Sequence, residues 1–435
     1  MIDREKAKPF VETEIPGPNA KKWIEYHKKY AAETTYEETF VWDRMHPASG
    51  PWAHDPDGNL WLDFAGHIAV NVIGYNHPEV IHLLECPIGS KILTSTPIRT
   101  AGTDFISAAG PDPARSMAPM PAHLHHALHM ITPEELNKSF FVNSGAEAVE
   151  NAIKLAWAYR KNYGYGITFN GAFHGRTLGA LSLNRSKHVQ RRWYPEIPKI
   201  LTADYNDLDW FVNLRVDPEE IAFVIVEPIQ GEGGYVPAGA EFIRITREFT
   251  SQHDIPLIFD EIQTGLGRTG KWWCFEHFNV VPDMVTAGKA LQVGAVIGKE
   301  KYFPTEKGRI SGTWAEGNIF NSAIGYVSII SINRENLLTN AEEMGNYFRN
   351  ELKKLNLFSH VRGKGLMIGA TPIYSHRSDE IVKAAAKRGL LIIKCGIASI
   401  RFLPPLNVNK HEIDVCIEIL NEVAKDLGMK KFPKG

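Results

Sequence analysis

Residues 257–263 (LIFDEIQ) and 282–289 (PDMVTAGK) contain two short apolar runs that each lead into polar groups. The first run predicts a buried strand that ends at Asp260. The second predicts a neighbouring strand that ends just before Lys289, 29 positions further on (289 − 260). Short apolar runs with turn residues at their ends are typical of strands buried in a parallel sheet. Burial lowers the pKa of a lysine, so an amine at this place can act as a nucleophile.

The pair Asp260 and Lys289 indicates the chemistry of pyridoxal phosphate (PLP). Enzymes that use this cofactor hold its aldehyde on a lysine as a Schiff base and place an acidic group beside the ring nitrogen. The carboxylate keeps that nitrogen protonated, and the lysine moves a proton once substrate has displaced it. The alternative is an exposed lysine with an unrelated strand-end aspartate, since most lysines are exposed. The surrounding sequence favours the cofactor site.

Four segments in order, together with Lys289, resemble the class III (omega) aminotransferases of the fold-type-I PLP superfamily. They are residues 143–148 (NSGAEA), 173–177 (FHGRT), 227–234 (EPIQGEGG) and 260–270 (DEIQTGLGRTG). The resemblance covers most of the chain. It implies an α/β fold like that of aspartate aminotransferase, in which a large domain has a mostly parallel seven-stranded sheet flanked by helices. A smaller α+β domain completes this fold.

Phosphate binding is predicted where a helix begins after a strand, at Ser144, Gly145 and Ala146. Backbone N–H groups and the helix dipole favour an anion there, and glycine lets the backbone approach it closely. The alternative is a plain serine N-cap without a ligand. By resemblance, Thr313 reaches the phosphate from the other subunit of a dimer, so the active site would be shared.

The resemblance also assigns residues around the cofactor ring. Phe173 resembles the aromatic side chain that stacks on the pyridine, and His174 accompanies it in the family. Gln263 resembles the residue that hydrogen-bonds the phenolic oxygen. An isolated phenylalanine is more often part of a core, so the assignment of Phe173 depends on its place in the FHGRT segment.

Three charged residues resemble the family's substrate-binding groups. Arg401 resembles the arginine that binds the α-carboxylate, for which a planar guanidinium provides a bidentate fork. Arg176 resembles a second arginine that binds a distal carboxylate. Glu227 resembles the acid that pairs with the first arginine when an ω-amino substrate is bound. For any of these residues alone, a surface ion pair is the alternative.

The resemblance implies an enzyme that moves an amino group to a 2-oxo acid such as 2-oxoglutarate. The ω-amino group of 4-aminobutyrate, ornithine or lysine is the expected donor. Residues 292–295 (QVGA) lack the Gly-Gly-Gly-type turn of many ornithine and 4-aminobutyrate enzymes and, with residues 312–314 (GTW), are similar to lysine 6-aminotransferases. The alternative is a PLP-dependent amino-acid racemase on the same scaffold. A racemase would use a second base across the ring, and the sequence does not identify one.

The chain of 435 residues is too long for a single core. We expect an N-terminal segment (1–60) that contributes to the small domain, a large PLP-binding domain (61–320) and a C-terminal small domain (321–435). Residues 55–64, with an Asp-Gly turn, predict a β-hairpin. Strands that alternate with helical patterns predict an α/β sheet. The predicted strands are residues 136–142, 166–169, 221–226, 257–260 and 284–287.

Composition excludes several partners. The net charge of −2 and the dispersed basic residues give no bias toward nucleic acid or a membrane surface. No apolar run is long enough for a membrane span. The four cysteines show neither the spacing of a metal site nor that of a disulfide framework. The first residues are charged and lack the apolar core of a secretory signal. The sequence therefore predicts a cytoplasmic protein. The resemblance predicts a homodimer or higher homo-oligomer.

Four histidines lie close together in residues 107–129, a segment that departs from the family pattern. They are His123, His125, His126 and His129. Clustered imidazoles suggest a metal site, but such sites usually take further ligands from other elements, and no cysteine or acidic companion has a suitable spacing. We therefore expect no metal and a solvated helix or loop face.

Overall fold

The computed structural model describes residues 2–34, 38–85, 108, 111–115, 119–312 and 318–429. The chain divides into two units. The larger unit comprises residues 79–338, and the smaller unit combines residues 1–78 with residues 339–435. The domain limits placed after residues 60 and 320 stay a prediction.

The strands of the described chain are numbered in sequence order. They are β1 (Trp52–His54), β2 (Leu60–Asp63), β3 (Lys138–Val142), β4 (Tyr165–Phe169), β5 (Ile200–Ala203), β6 (Ile221–Val226), β7 (Ile229–Gln230), β8 (Val236–Pro237), β9 (Leu257–Asp260), β10 (Met284–Ala287), β11 (Gly294–Gly298), β12 (Phe358–Lys364), β13 (Met367–Pro372), β14 (Leu390–Leu391), β15 (Ile393–Cys395) and β16 (Ser399–Phe402).

The right-handed helices of the described chain are numbered in the same way. They are α1 (Pro18–Tyr30), α2 (Pro78–Glu85), α3 (Pro121–Ile131), α4 (Gly145–Arg160), α5 (Leu178–Ser182), α6 (Trp210–Leu214), α7 (Ala240–Gln252), α8 (Ile319–Arg334), α9 (Leu337–Lys354), α10 (Ser378–Ala386) and α11 (Lys410–Asp426). A further single turn at Gly66–Ala69 has helical hydrogen bonding, but its residues have positive φ angles.

The larger unit is built on a seven-stranded sheet with the order β3-β11-β10-β9-β6-β4-β5. β11 runs antiparallel to both of its neighbours, and the other pairings are parallel. The predicted mostly parallel seven-stranded sheet is therefore confirmed. Strands β6, β9 and β10 are buried at every residue, as their apolar sequences require in a sheet that is covered on both faces.

Helix α4 packs on this sheet. Its N-cap Ser144 accepts a hydrogen bond from the backbone N–H of Glu147, and Lys161 ends the helix in the left-handed conformation. Val149 and Ile153 of α4 belong to the same buried apolar cluster as Phe223 of β6. Alanines fill many of the other helical positions and let α4 lie close to the strands.

The smaller unit contains two further sheets. β1 and β2 form the predicted antiparallel hairpin, and β14 adds to β2 in parallel. The second sheet has the order β12-β13-β16-β15 and is antiparallel throughout. In the described residues of the whole chain, no helix has the length and apolar character that crossing a bilayer demands.

Candidate active site

Strands β9 and β10 end at the same edge of the sheet because they are parallel neighbours, with Asp260 directly opposite Thr286. Asp260 is the last residue of β9 and is 5% exposed. Lys289 follows β10 after a single glycine and begins a short 3-10 turn with a φ of 47°. Ligands of open α/β sheets bind at the carboxyl ends of the strands, so this edge is the expected place for a site.

The Asp260 carboxylate has three hydrogen-bond donors. His174 Nδ1 lies 2.7 Å from Oδ2, and the backbone N–H of Ile262 donates to Oδ1 over 3.1 Å. The Thr286 hydroxyl donates to Oδ1 over 3.2 Å. Donors on both oxygens fix the orientation of this buried carboxylate.

Residues 173–176 form a segment beside Asp260 that is held by side chains from elsewhere in the sequence. Glu227 Oε1 accepts from the Phe173 backbone N–H, 2.8 Å away. Asn184 Oδ1 accepts from the backbone N–H of His174, 2.6 Å away. Asn184 Nδ2 donates to the Gly175 carbonyl. The Arg176 guanidinium carbon lies 5.6 Å from the centroid of the Phe173 ring. The predicted residues Phe173, His174 and Arg176 are thus brought together with Asp260.

Glu227 is buried close to two of these groups. Its second oxygen, Oε2, accepts from the backbone N–H of Gly231 over 2.8 Å. Burial raises its pKa to about 7; the charge of Asp260 also raises it, whereas His174 and the two backbone donors lower it. Glu227 therefore changes protonation near neutral pH, which is unusual for a carboxyl group.

The phosphate cradle predicted at Ser144, Gly145 and Ala146 lies at the N-terminus of helix α4. A Cβ added to Gly145 would lie 2.8 Å from Ile262 Cδ1, so only glycine fits there without a shift. A Cβ on Gly288, the residue before Lys289, would lie 3.5 Å from Gly145 Cα. The helix N-terminus and Lys289 are therefore close neighbours in the larger unit.

Two predicted residues cannot be placed together with this group. Arg401 lies in the smaller unit, on β16, where it pairs with Gly369 and Ile393, and it is 5% exposed. Thr313 lies outside the described residues.

The histidines of α3 have different surroundings. The His125 ring stacks on Phe141 with the ring centroids 3.7 Å apart and hydrogen-bonds Ser139, and burial lowers its pKa to about 4. His123 Nδ1 accepts from the backbone N–H of Met120 at the start of α3. In the part of the chain that the structure describes, no group of three or more His, Cys, Asp or Glu side chains is arranged to hold a metal ion.

Sequence reasoning missed two residues of the site. Asn184 contacts His174 and Thr286 contacts Asp260, but neither residue belongs to the four segments that resemble the family. The apolar run at residues 284–287 predicted a strand that contains Thr286, but it did not indicate which residue of the neighbouring strand Thr286 faces. No pattern in the sequence pointed to Asn184.

Comparison with known proteins identifies the family. The model for "Aminotransferase class-III" matches residues 38–424. The chain belongs to the class III aminotransferases. It is 33% identical over 419 residues to the acetylornithine aminotransferase of Caldanaerobacter subterraneus subsp. tengcongensis, covering 93% of this chain and 99% of the relative.

Two other proteins show the breadth of the family. A [LysW]-aminoadipate semialdehyde/glutamate semialdehyde transaminase of Sulfolobus acidocaldarius is 34% identical over 380 residues, covering 85% of this chain and 91% of that one. The structure of lysine aminotransferase from M. tuberculosis has a TM-score of 0.82 and 25% identity, covering 94% of this chain and 99% of that one. The predicted fold type is thus confirmed.

Class III aminotransferases depend on pyridoxal phosphate, and the residues of this aminotransferase fit that cofactor. Two polar atoms near Asp260, Gln263 Oε1 and His174 Nε2, are buried without a hydrogen-bond partner among the described residues. Buried polar atoms of this kind are normally satisfied, so a polar ligand is the natural partner. A helix N-terminus, a buried carboxylate and an amine at one sheet edge fit a phosphorylated pyridine aldehyde.

Proposed function

We propose that this aminotransferase transfers the ω-amino group of a small amino acid, such as ornithine, lysine or 4-aminobutyrate, to a 2-oxo acid such as 2-oxoglutarate. The names of its relatives support a donor that carries an amino group at its far end. Those relatives are named for acetylornithine, aminoadipate semialdehyde and lysine.

The observation that carries the catalytic part is the placement of Asp260 at the end of β9 and of Lys289 just after the end of β10, its parallel neighbour. When bound, pyridoxal phosphate accepts the amino group and stabilises negative charge at the substrate carbon. Asp260 holds a proton at the ring nitrogen, because its fixed carboxylate offers an acceptor there. The Lys289 amine moves a proton between the substrate and cofactor carbons.

The remaining residues hold the cofactor in place. The backbone of Ser144, Gly145 and Ala146 binds the phosphate, and Thr313 of a partner subunit completes that site. Phe173 covers one face of the cofactor ring, and the His174 ring hydrogen-bonds Asp260. Gln263 hydrogen-bonds the phenolic oxygen of the cofactor, and this bond gives its buried side-chain amide a polar partner. The shared site, the homodimer and the cytoplasmic location stay predictions.

Substrate binding uses Arg401, Arg176 and Glu227. Arg401 binds the α-carboxylate of the 2-oxo acid, and Arg176, exposed beside the Phe173 ring, binds a distal carboxylate. Glu227 pairs with Arg401 when the reacting end of the donor has no carboxylate. The pKa of Glu227, about 7, would let its charge respond to what is bound nearby.

The test is to mix the holoenzyme with single amino acids and follow the loss of the cofactor's visible absorbance. We expect ω-amino donors to react faster than α-amino acids with no ω-amino group, and 2-oxoglutarate to restore the absorbance. Interconversion of the enantiomers of one amino acid, without consumption of a 2-oxo acid, would instead establish the racemase alternative.

A further inference from the structure

Asn184 is fully buried, and both the oxygen and the nitrogen of its side-chain amide hydrogen-bond the backbone of the 173–176 segment. Its Oδ1 accepts from the His174 N–H over 2.6 Å, and its Nδ2 donates to the Gly175 carbonyl over 2.8 Å. The amide accepts from one backbone group and donates to another in the same segment. These two hydrogen bonds fix where the segment lies relative to Asn184, both along the backbone and in distance.

Helix α4 also lies close to this segment. Gly175 has a φ of +145°, and a Cβ added to it would lie 2.7 Å from the Ala146 side chain. The backbone at Gly175 therefore already lies against α4 and has no room to move toward it. The Asn184 hydrogen bonds and the contact with Ala146 therefore both restrict the backbone at His174 and Gly175.

This position determines where the His174 ring lies. His174 Nδ1 is 2.7 Å from Asp260 Oδ2, whereas Nε2 is buried without a hydrogen-bond partner among the described residues. A hydrogen bond weakens when its donor–acceptor distance grows by a few tenths of an ångström or when its angle becomes poor. A displaced His174 backbone would therefore weaken the contact between the His174 ring and Asp260.

We propose that Asn184 is a positioning residue of the aminotransferase that acts on Asp260 through His174. It fixes the His174 backbone, the His174 ring orients the Asp260 carboxylate, and that carboxylate faces the cofactor ring nitrogen. The last of these steps rests on the function proposed above. A purely structural Asn184, which only satisfies buried backbone groups, would affect folding and leave the cofactor environment unchanged.

The test compares Asn184→Ala with His174→Gln and with the double variant. The measurements are the cofactor dissociation constant and the pH midpoint of the cofactor's absorbance change in the holoenzyme. We expect Asn184→Ala to raise the dissociation constant about tenfold, as the loss of one or two hydrogen bonds would, and to shift the midpoint. In the His174→Gln background, the same substitution should have little further effect on either quantity.

Two more variants make the result decisive. Thr246→Val removes another buried hydrogen bond of the larger unit, the one from Trp210 Nε1, and should lower stability without a change in the midpoint. Asn184→Asp keeps the acceptor for His174 and loses the donor to Gly175, so we expect an intermediate effect. It takes the place of Asn184→Ala in the comparison if the alanine variant does not fold.

Additive effects of Asn184 and His174 on the midpoint would overturn the proposal, as would a midpoint that none of the Asn184 variants shifts. Asp260→Asn separates this from the proposed function. If Asp260→Asn leaves the absorbance and its pH dependence unchanged, the role of Asp260 itself is wrong. If Asp260→Asn changes both while Asn184 and His174 stay additive, only the positioning role fails.

Discussion

Thr286 faces Asp260 across two parallel strands and donates its hydroxyl to Asp260 Oδ1 over 3.2 Å. This contact ties the strand that leads to Lys289 to the carboxylate proposed to meet the cofactor nitrogen.

Thr286→Val should therefore lower kcat severalfold while costing only about 1 kcal/mol of stability, because valine keeps the shape and removes one hydrogen bond. Thr246→Val is the control: it removes a buried hydroxyl of helix α7 in the same unit, which accepts from Trp210 Nε1. Steady-state kinetics and urea unfolding of both variants check this. Equal kinetic losses in the two variants would show that the Asp260 contact has no special effect.

Lys289→Ala should abolish nearly all turnover, because it removes the amine at the start of the turn after β10 that is proposed to transfer the proton. Lys289→Arg should fail as well, since its guanidinium does not give up a proton near neutral pH. Lys138→Ala, at the exposed start of β3, should react normally. Single-turnover rates with one donor check the set, and a Lys289→Ala variant as fast as the parent enzyme would contradict the assignment.

Arg401→Ala should slow the half-reaction with the 2-oxo acid more than the half-reaction with an ω-amino donor. The acceptor would lose the bidentate partner of its α-carboxylate, at a cost of roughly 2–5 kcal/mol if that pair is buried. Arg176→Ala should slow both half-reactions. Single-turnover rates of each half-reaction decide this, and equal losses in Arg401→Ala would favour an α-amino aminotransferase or a racemase.

Glu261 predicts a pH dependence of stability. Its carboxyl group accepts from the backbone N–H groups of Cys274 and Phe275, and burial raises its pKa from 4.5 to about 7. A raised folded-state pKa contributes stability that is fully present below pH 4.5 and is lost as the pH rises through 7. We expect a loss of about 3 kcal/mol across this window from this group. Glu261→Gln should remove that part of the slope in urea unfolding, whereas the exposed Glu241→Gln should retain it.

Asp283 predicts the opposite dependence. Burial alone would raise its pKa, but Arg247, the Leu257 N–H and Lys299 together lower it below 3.8. Its stabilisation is therefore present above the unfolded-state pKa and is lost as the pH falls through the lower folded-state value. Asp283→Asn should cost about 3 kcal/mol at pH 7, because it leaves two cations without their carboxylate. Thermal unfolding from acid to neutral pH measures this.

The sequence predicted those parts of the molecule that depend on local pattern. Strands such as β9 are apolar runs bounded by turn residues, so they are visible in the sequence, whereas β11 (GAVIG) has too few large apolar residues to be recognised. The Asp260–His174 contact joins residues 86 positions apart, and only the fold brings them together. The Asn184 contacts span only 10 and 9 positions, but they form between the end of α5 and an irregular segment, where no periodic pattern indicates a contact.

The pairing of β14 with β2 has a consequence for synthesis of the chain on the ribosome. Leu390 lies opposite Leu62, 328 residues earlier (390 − 62). At roughly 5–20 residues per second, about 16 to 66 s separate the synthesis of the two strands. Trp61 and Phe40 share a buried cluster with Ala386 and Leu391, so during this interval the nascent N-terminal segment must keep a large aromatic surface from aggregating. We expect chaperone dependence to be concentrated there.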